Sequence, residues 1–406
     1  MGKRRTTMEA VILAAGEGLR MRPLTNSMPK VMLRIANKPI LEHALESLIS
    51  AGIRDIVMVV GYRKEHIMSY FEDGKKWGVK IRYAHEEKQI GTAHALSKAK
   101  DMVSRPFIVY PGDNVISGKA LEYFIDKAQE GKDSLLVVES AVPAKYGFVM
   151  KSGNKISGIQ KDMEPHTGAL ISTGIYLFNS DIFALVERKA REGVHTLTDV
   201  SLSIIKEGGV LEAVVAPDRW MDAVYPWDIL ATCDGTMQEM EVKLHGEISQ
   251  KATIEGLVHV GKDTIIREGC IIKGPTIIGE GCEIGPNVII SPSTAIGRNV
   301  RIEPFVKISH SIIMDDVSIG GFSSLDHSIL AEGVVLEGHF FSICGRADIK
   351  TAHGFKEVGR IGSIVGEDTV IGPHVVAMPG TIVGAKCQVG PLVRLRDSVS
   401  NCSTVV

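Results

Sequence analysis

Two folds in series are predicted by the sequence, an α/β domain with a parallel sheet followed by a parallel β-helix. Three observations carry this reading. Short β-branched runs alternate with amphipathic segments through the first part of the chain, the pattern of strands and the helices that cover them. Beyond residue 250, aliphatic side chains recur at every sixth position. The 42 glycines change their habit at the same place, and 406 residues exceed one ordinary core, since domains run to about 150 residues. The expected organisation is a disordered basic arm at 1–8, an α/β domain at 9–225, a helical connector at 226–248 and the β-helix at 249–406.

The start carries Lys3, Arg4 and Arg5 but runs into a glycine motif after only a short apolar stretch, so it reads as an arm and not as a signal peptide. Ala10 to Leu13, Asp55 to Val60, Phe107 to Tyr110 and Ser134 to Val138 read as buried strands. Between the first two, Ile40, Leu41, Ala44, Leu45, Leu48 and Ile49 lie at helical spacing, and Ala51-Gly52 ends the helix. Strand-helix-strand alternation implies a parallel sheet covered on both faces, with ligands at the carboxyl ends of its strands. In the second half Ile254, Val260, Ile266, Ile272, Ile278, Ile284, Ile290, Ile296, Ile302 and Ile308 hold the step of six. Four residues after each stands a small or β-branched side chain: Val258, Thr264, Cys270, Thr276, Cys282, Val288, Thr294, Val300, Val306 and Ile312. Each hexapeptide is one short strand and turn, three make a triangular coil, and stacked coils bury a continuous aliphatic column. After a one-residue slip the step resumes at Ile313, Ile319 and Leu325, breaks around residues 338 to 362, and returns at Val365, Ile371, Val383 and Val389.

Composition excludes several functions. Lys+Arg 46 against Asp+Glu 48 offers nucleic acid no global attraction. No run reaches the ~18 apolar residues of a membrane-spanning helix. Six cysteines without a Cys-x-x-Cys pair argue against a disulfide framework and a zinc site, and a reducing, cytoplasmic setting is expected. Cys270 and Cys282, in the small-residue slot, read as packing.

After the first strand the chain runs Ala14-Ala15-Gly16-Glu17-Gly18-Leu19-Arg20-Met21-Arg22-Pro23-Leu24-Thr25, and Pro29-Lys30 follows. Small residues let backbone N–H groups approach a polyphosphate, and cations on the same loop neutralise it. The loop is neither a P-loop, which needs Gly-Lys-Ser/Thr, nor a dinucleotide fingerprint, whose third glycine is missing.

These motifs resemble the sugar-1-phosphate nucleotidylyltransferases, whose signature is Gly-x-Gly-x-Arg, Arg-Pro-Leu and then Pro-Lys. The resemblance extends through Lys38-Pro39-Ile40, Gly91-Thr92-Ala93, Pro111-Gly112-Asp113-Asn114, Tyr146-Gly147, Gly174-Ile175-Tyr176 and Trp220-Met221-Asp222. It implies a Rossmann-like nucleotidyltransferase domain, a left-handed β-helix behind it, and a homo-oligomer, a trimer, assembled through that helix. It implies nucleotidyl transfer from a nucleoside triphosphate to a sugar 1-phosphate. Arg20 and Lys30 would grip the nucleotide phosphates, and Asp113 and Asp222 would hold Mg²⁺, a hard ion that takes one or two carboxylates. Ala14, Ala15, Gly16, Gly18, Glu86, Gly91 and Thr92 would form the nucleotide site. Gly147, Gln160, Lys161 and Ser172 would meet the sugar phosphate, with Gln160 where relatives carry glutamate and Ser172 where they carry asparagine.

Base choice is divided. Glu86 stands where pyrimidine-using relatives carry a glutamine, and an ionised carboxylate only accepts, which suits the two parallel N–H donors of guanine. His85-Glu86-Glu87 is similar to guanylyltransferases, whereas Leu13-Ala14-Ala15-Gly16 is similar to uridylyl- and thymidylyltransferases. Some relatives also acetylate an amino sugar on the β-helix with a histidine base. Here Gly321 takes that histidine's place, and Glu337 and Phe340 are expected to add charge and bulk to the cofactor cleft. His327 and His339 lie nearby. A bifunctional transferase and a non-catalytic regulatory subunit are the alternatives to a nucleotidylyltransferase with a scaffolding β-helix.

Overall fold

The first strand, Glu9–Ala14, lies inside a nine-stranded sheet. Its neighbours are Asp55–Val60 on one side and Phe107–Pro111 on the other, and Lys80–His85 pairs beyond Asp55–Val60, all parallel. The computed structural model describes residues 8–129, 131–139, 147–160, 168–216, 220–238, 240–352 and 354–406; the basic arm up to Thr7, Tyr146 and Lys161 lie outside them.

The expected purely parallel sheet is corrected by the other half. Leu170–Phe178 runs antiparallel to both Phe107–Pro111 and Asp133–Glu139, and the sheet continues through Leu211–Val215, Lys155–Gln160 and Phe148–Ser152. The predicted helix is Ile40–Ser50, whose apolar stripe is buried against the sheet core. Because the chain leaves Glu9–Ala14 toward one neighbour and returns to the other, the strand order reverses between Glu9–Ala14 and Phe107–Pro111, the place where ligands enter such sheets.

Contacts divide the chain into two units: 1–17, 28–32 and 39–222, then 18–27, 33–38 and 223–406. The second unit therefore includes two short pieces of the glycine-loop region. Arg34 Nη2 reaches Asp315 Oδ2 (3.1 Å), and Asn37 Nδ2 donates to the Ile296 carbonyl (2.6 Å). In this unit Asp228–Met237 is the helix of the expected 226–248 connector, and the first coil strand, Lys243–Leu244, already lies within that stretch.

The rest of the second unit is a left-handed parallel β-helix, three parallel sheets of 8, 9 and 8 short strands stacked in register. The hexapeptide positions from Val260 to Ile308 are sealed inside it, and Ile254, on the first coils, is partly buried. Each fully buried aliphatic side chain contributes about 1.5–3 kcal/mol, so the column carries the domain's stability. Corner residues with positive φ are often Asn or Asp, such as Asn287, Asn299 and Asp316, which tolerate the left-handed conformation.

The slip has a simple geometry. Ile296 pairs with Ile313 and Ala295 with Ile312, so one coil carries a residue less, and the small-residue slot expected at Ile312 is filled by Ser311. The break is an antiparallel hairpin, Gly345–Thr351 with Gly354–Ile361, that leaves the coil and returns. Phe340 is fully buried in the column, so its bulk fills the core and does not obstruct a surface cleft. Cys270 and Cys282 are packing residues as expected, their thiols donating to the carbonyls of Gly285 and Gly297 (3.1 Å each). No cysteine among the described residues is in a disulfide, and no described helix is long and apolar enough to cross a membrane.

Candidate active site

The loops at the carboxyl ends of the four parallel strands are drawn together by missing side chains. A Cβ on Gly61 would lie 2.8 Å from the carbonyl oxygens of both Ala15 and Glu86. One on Gly112 would lie 3.0 Å from the Leu13 carbonyl, to which Gly112 N–H donates. Gly61 and Gly112 thus hold three loops at van der Waals distance, and the 9–17 segment threads between them. A Cβ on Gly16 would meet nothing within 4 Å, which leaves open space beside the loop. Tyr62 N–H donates to the Ala15 carbonyl, and Glu17 N–H to Gln89 Oε1 (both 3.1 Å).

Three charged groups converge. Trp220–Asp222 pairs antiparallel with Asn114–Ile116, and this register sets Asp222 opposite Asn114, next to Asp113. Lys30 Nζ donates to Asp113 Oδ2 at 2.7 Å and lies 3.7 Å from Asp222 Oδ1. All three side chains are largely buried, so the ion pairs are screened far less than surface pairs. Asn114 is fully buried, its Nδ2 donating to the Thr173 carbonyl at 2.6 Å, and so it pins the Asp113 turn to Leu170–Phe178. Two carboxylates facing one point are a hard-oxygen donor set, and the residues present fit Mg²⁺.

Glu86 is buried, and its Oε1 lies 2.7 Å from His94 Nδ1. It is not a solvated carboxylate. His94 lies on the short helix Thr92–Ser97. Gly91 is required by close approach, since a Cβ there would lie 2.5 Å from the His195 carbonyl. Thr92 Oγ1 accepts from Leu197 N–H (2.8 Å), so its hydroxyl fastens this helix to the start of the helix Leu197–Lys206.

Gly18 is left-handed (φ 73°) and opens the tight turn Leu19–Met21; its carbonyl accepts from Thr25 Oγ1 at 2.9 Å. Arg20 is exposed on that turn, which belongs to the second unit. Among the residues expected to meet the sugar phosphate, Gly147 (φ 94°) accepts from Ser172 N–H (2.9 Å), and its missing side chain lets Gln160 approach, a Cβ there lying 2.9 Å from the Gln160 carbonyl. Gly147, Gln160 and Ser172 are therefore neighbours. Gln160 is exposed, but Ser172 is fully buried, and its hydroxyl accepts from Gly174 N–H (3.3 Å).

Sequence reasoning missed His94, Asn114 and Gly61. Gly61 was accessible as a glycine directly after a parallel strand. Asn114 sits inside a motif that assigns it no role, and the partnership of His94 with Glu86 depends on a turn between them that the sequence does not describe.

The model of the family described as Nucleotidyl transferase matches residues 9–230, and that of the GMPPB C-terminal domain matches residues 272–346. The bifunctional protein GlmU of Methanococcus maripaludis is 32% identical over 394 residues, 94% of this chain and 93% of its own length. The UTP–glucose-1-phosphate uridylyltransferase AglF of Haloferax volcanii is 32% identical over 60% of this chain and 99% of its own. A Bacillus anthracis structure assigned as a glucose-1-phosphate thymidylyltransferase superposes with a TM-score of 0.52 at 27% identity, over 58% of this chain and 98% of that one.

Proposed function

The chain belongs to the nucleotidyl transferase family, and from that premise we propose that it catalyses Mg²⁺-dependent transfer of a nucleotidyl group from a nucleoside triphosphate to a sugar 1-phosphate. The convergence of Asp113 and Asp222 on Lys30 carries the reading. An oxygen of the sugar phosphate attacks the α-phosphorus, a new P–O bond forms, and the bond to the bridging oxygen breaks as pyrophosphate leaves in line. Two anions must meet, so positive charge must be supplied. Lys30, beside the two carboxylates, would supply one charge, and Arg20 keeps the phosphate role that its motif implies. Asp113 and Asp222 would hold Mg²⁺, which when bound neutralises charge on the phosphate oxygens. Ala14, Ala15, Gly16 and Gly18 present backbone to the triphosphate, and Gly91 and Thr92 shape the pocket. Gly147, Gln160 and Lys161 are the proposed sugar-phosphate contacts; the burial of Ser172 favours a supporting role for it. The reaction is readily run backwards. Incubation with pyrophosphate and a panel of nucleotide sugars should release nucleoside triphosphate from at least one, and release from none in the presence of Mg²⁺ contradicts the proposal.

Glu86 is proposed to read the base, held by His94 with a carboxylate that only accepts. Glu86→Gln should shift preference from GTP toward UTP or dTTP, a base contact being worth ~1–3 kcal/mol in the related readout of nucleic acids. An unchanged ranking of nucleotides would remove Glu86 from base selection.

The β-helix is proposed to assemble copies of the chain into a trimer, a role supported by the exposed Phe305, Phe322 and Leu392 on its surface. The similarity to a bifunctional relative over 93% of its length raises an acetyltransferase as the second reading. Amine attack on a thioester needs a base with pKa near the working pH, and Gly321 supplies none. Mixing the protein with acetyl-CoA and glucosamine 1-phosphate or galactosamine 1-phosphate should release no free thiol above background. Release that His327→Ala abolishes would establish the second activity.

A further inference from the structure

We propose that His310, Asp326 and His327, at one corner of the β-helix, form a binding site for a divalent first-row metal ion, Zn²⁺ in the first instance. His310 and His327 both adopt the left-handed conformation (φ 47° and 48°), and His327 N–H donates to the Ser309 carbonyl, which places the two residues at the same corner of successive coils. Their rings stack, with centroids 4.6 Å apart and planes inclined by 17°. Asp326 directs Oδ1 at both, 2.7 Å from His327 Nδ1 and 3.7 Å from His310 Nδ1.

The surroundings position this carboxylate for a ligand. Ser309 Oγ donates to Oδ1 (2.9 Å), while Arg360, on the returning strand of the hairpin, donates to Oδ2 (3.2 Å). Such outer contacts are what orients a ligating carboxylate. His310 Nδ1 is buried without a hydrogen bond. The candidate ligand atoms lie within 4.8 Å of one another, the one such group of three among the described residues. Tetrahedral Zn²⁺ with bonds of about 2.0–2.1 Å would need them closer, a swing open to the partly exposed His310 side chain. Two imidazoles and one carboxylate suit Zn²⁺, with water in the fourth position. Cysteine spacing was blind to such a site because it uses no thiol.

A neighbouring stack shows what rings alone look like. Phe305, Phe322, His339 and His374 pile up in the same left-handed conformation, two of them carrying no ligand atom. A merely structural His310–His327 stack would behave like that one and take up no metal.

The test is equilibrium dialysis of the full chain against Zn²⁺ in excess Mg²⁺, with the visible spectrum of the Co²⁺-loaded protein as a second readout. One Zn²⁺ per chain and a tetrahedral Co²⁺ band are expected, both lost in His310→Ala and in His327→Gln and both kept in Asp113→Asn. His310→Gln, which retains bulk, serves if His310→Ala does not fold. Absence of Zn²⁺ uptake by the unsubstituted chain overturns the proposal, as does uptake unchanged in the histidine variants or lost in Asp113→Asn.

Discussion

Lys30→Ala is expected to lower turnover by about a thousandfold or more, the scale on which removing a preorganised charge from a transition state acts. The side chain is sealed between elements and aimed at two carboxylates, so its charge is already oriented when substrate arrives and needs no reorganisation. Pyrophosphate departure builds negative charge beside it, and water cannot refill the place of a buried ammonium with an equivalent charge. The same substitution leaves Asp113 and Asp222 facing each other without their shared cation. Breaking a buried ion pair by removing one partner costs about 3–5 kcal/mol in fully buried cases, and these groups are nearly that buried, so a lower melting temperature should accompany the rate loss. Measurements of kcat and melting temperature on one preparation separate the two. A near-normal rate in Lys30→Ala discards the site even if the melting temperature falls.

Asp113→Ala and Asp222→Ala should each cost several orders of magnitude in turnover, and excess chelator should stop the unsubstituted enzyme. Mg²⁺ keeps most of its waters and takes few protein ligands, so losing one of two carboxylates removes half of the protein's hold on it. Asp222 is the sterner test, because it comes from a distant part of the chain and meets Asp113 only through the pairing of Trp220–Asp222 with Asn114–Ile116. Raising Mg²⁺ should recover part of the lost rate in these variants and none in Lys30→Ala. Undiminished turnover in excess chelator removes the metal role of both aspartates.

The β-helix was legible because its rule is local: each hexapeptide repeats one strand and one turn, so the buried residues from Val260 to Ile308 announce themselves by period alone. Where the rule lapses, spacing misleads. Ile312 satisfies the count of four after Ile308, yet the missing corner residue hands its slot to Ser311. In the α/β unit the parallel strands were readable as β-branched runs, but the antiparallel course of Leu170–Phe178 was not, since strand direction depends on where the chain returns and not on composition. The same distinction divides the site. Lys30, Asp113 and Asp222 were legible as motif residues, and their meeting rests on tertiary pairing. Glu86 was legible as an oddity, while its partner His94 was not, and the burial of the Ser172 hydroxyl could not be read from its place in the sequence.

Pyrophosphate release, measured over a matrix of all nucleoside triphosphates against several sugar 1-phosphates, decides whether the chain transfers a nucleotidyl group to a sugar 1-phosphate. Release is expected in at least one cell of the matrix, dependent on both substrates and on Mg²⁺, with the nucleotide sugar as co-product and the signal lost in Lys30→Ala. Release in no cell, or release that proceeds without a sugar phosphate and persists in Lys30→Ala, would contradict the proposed transfer.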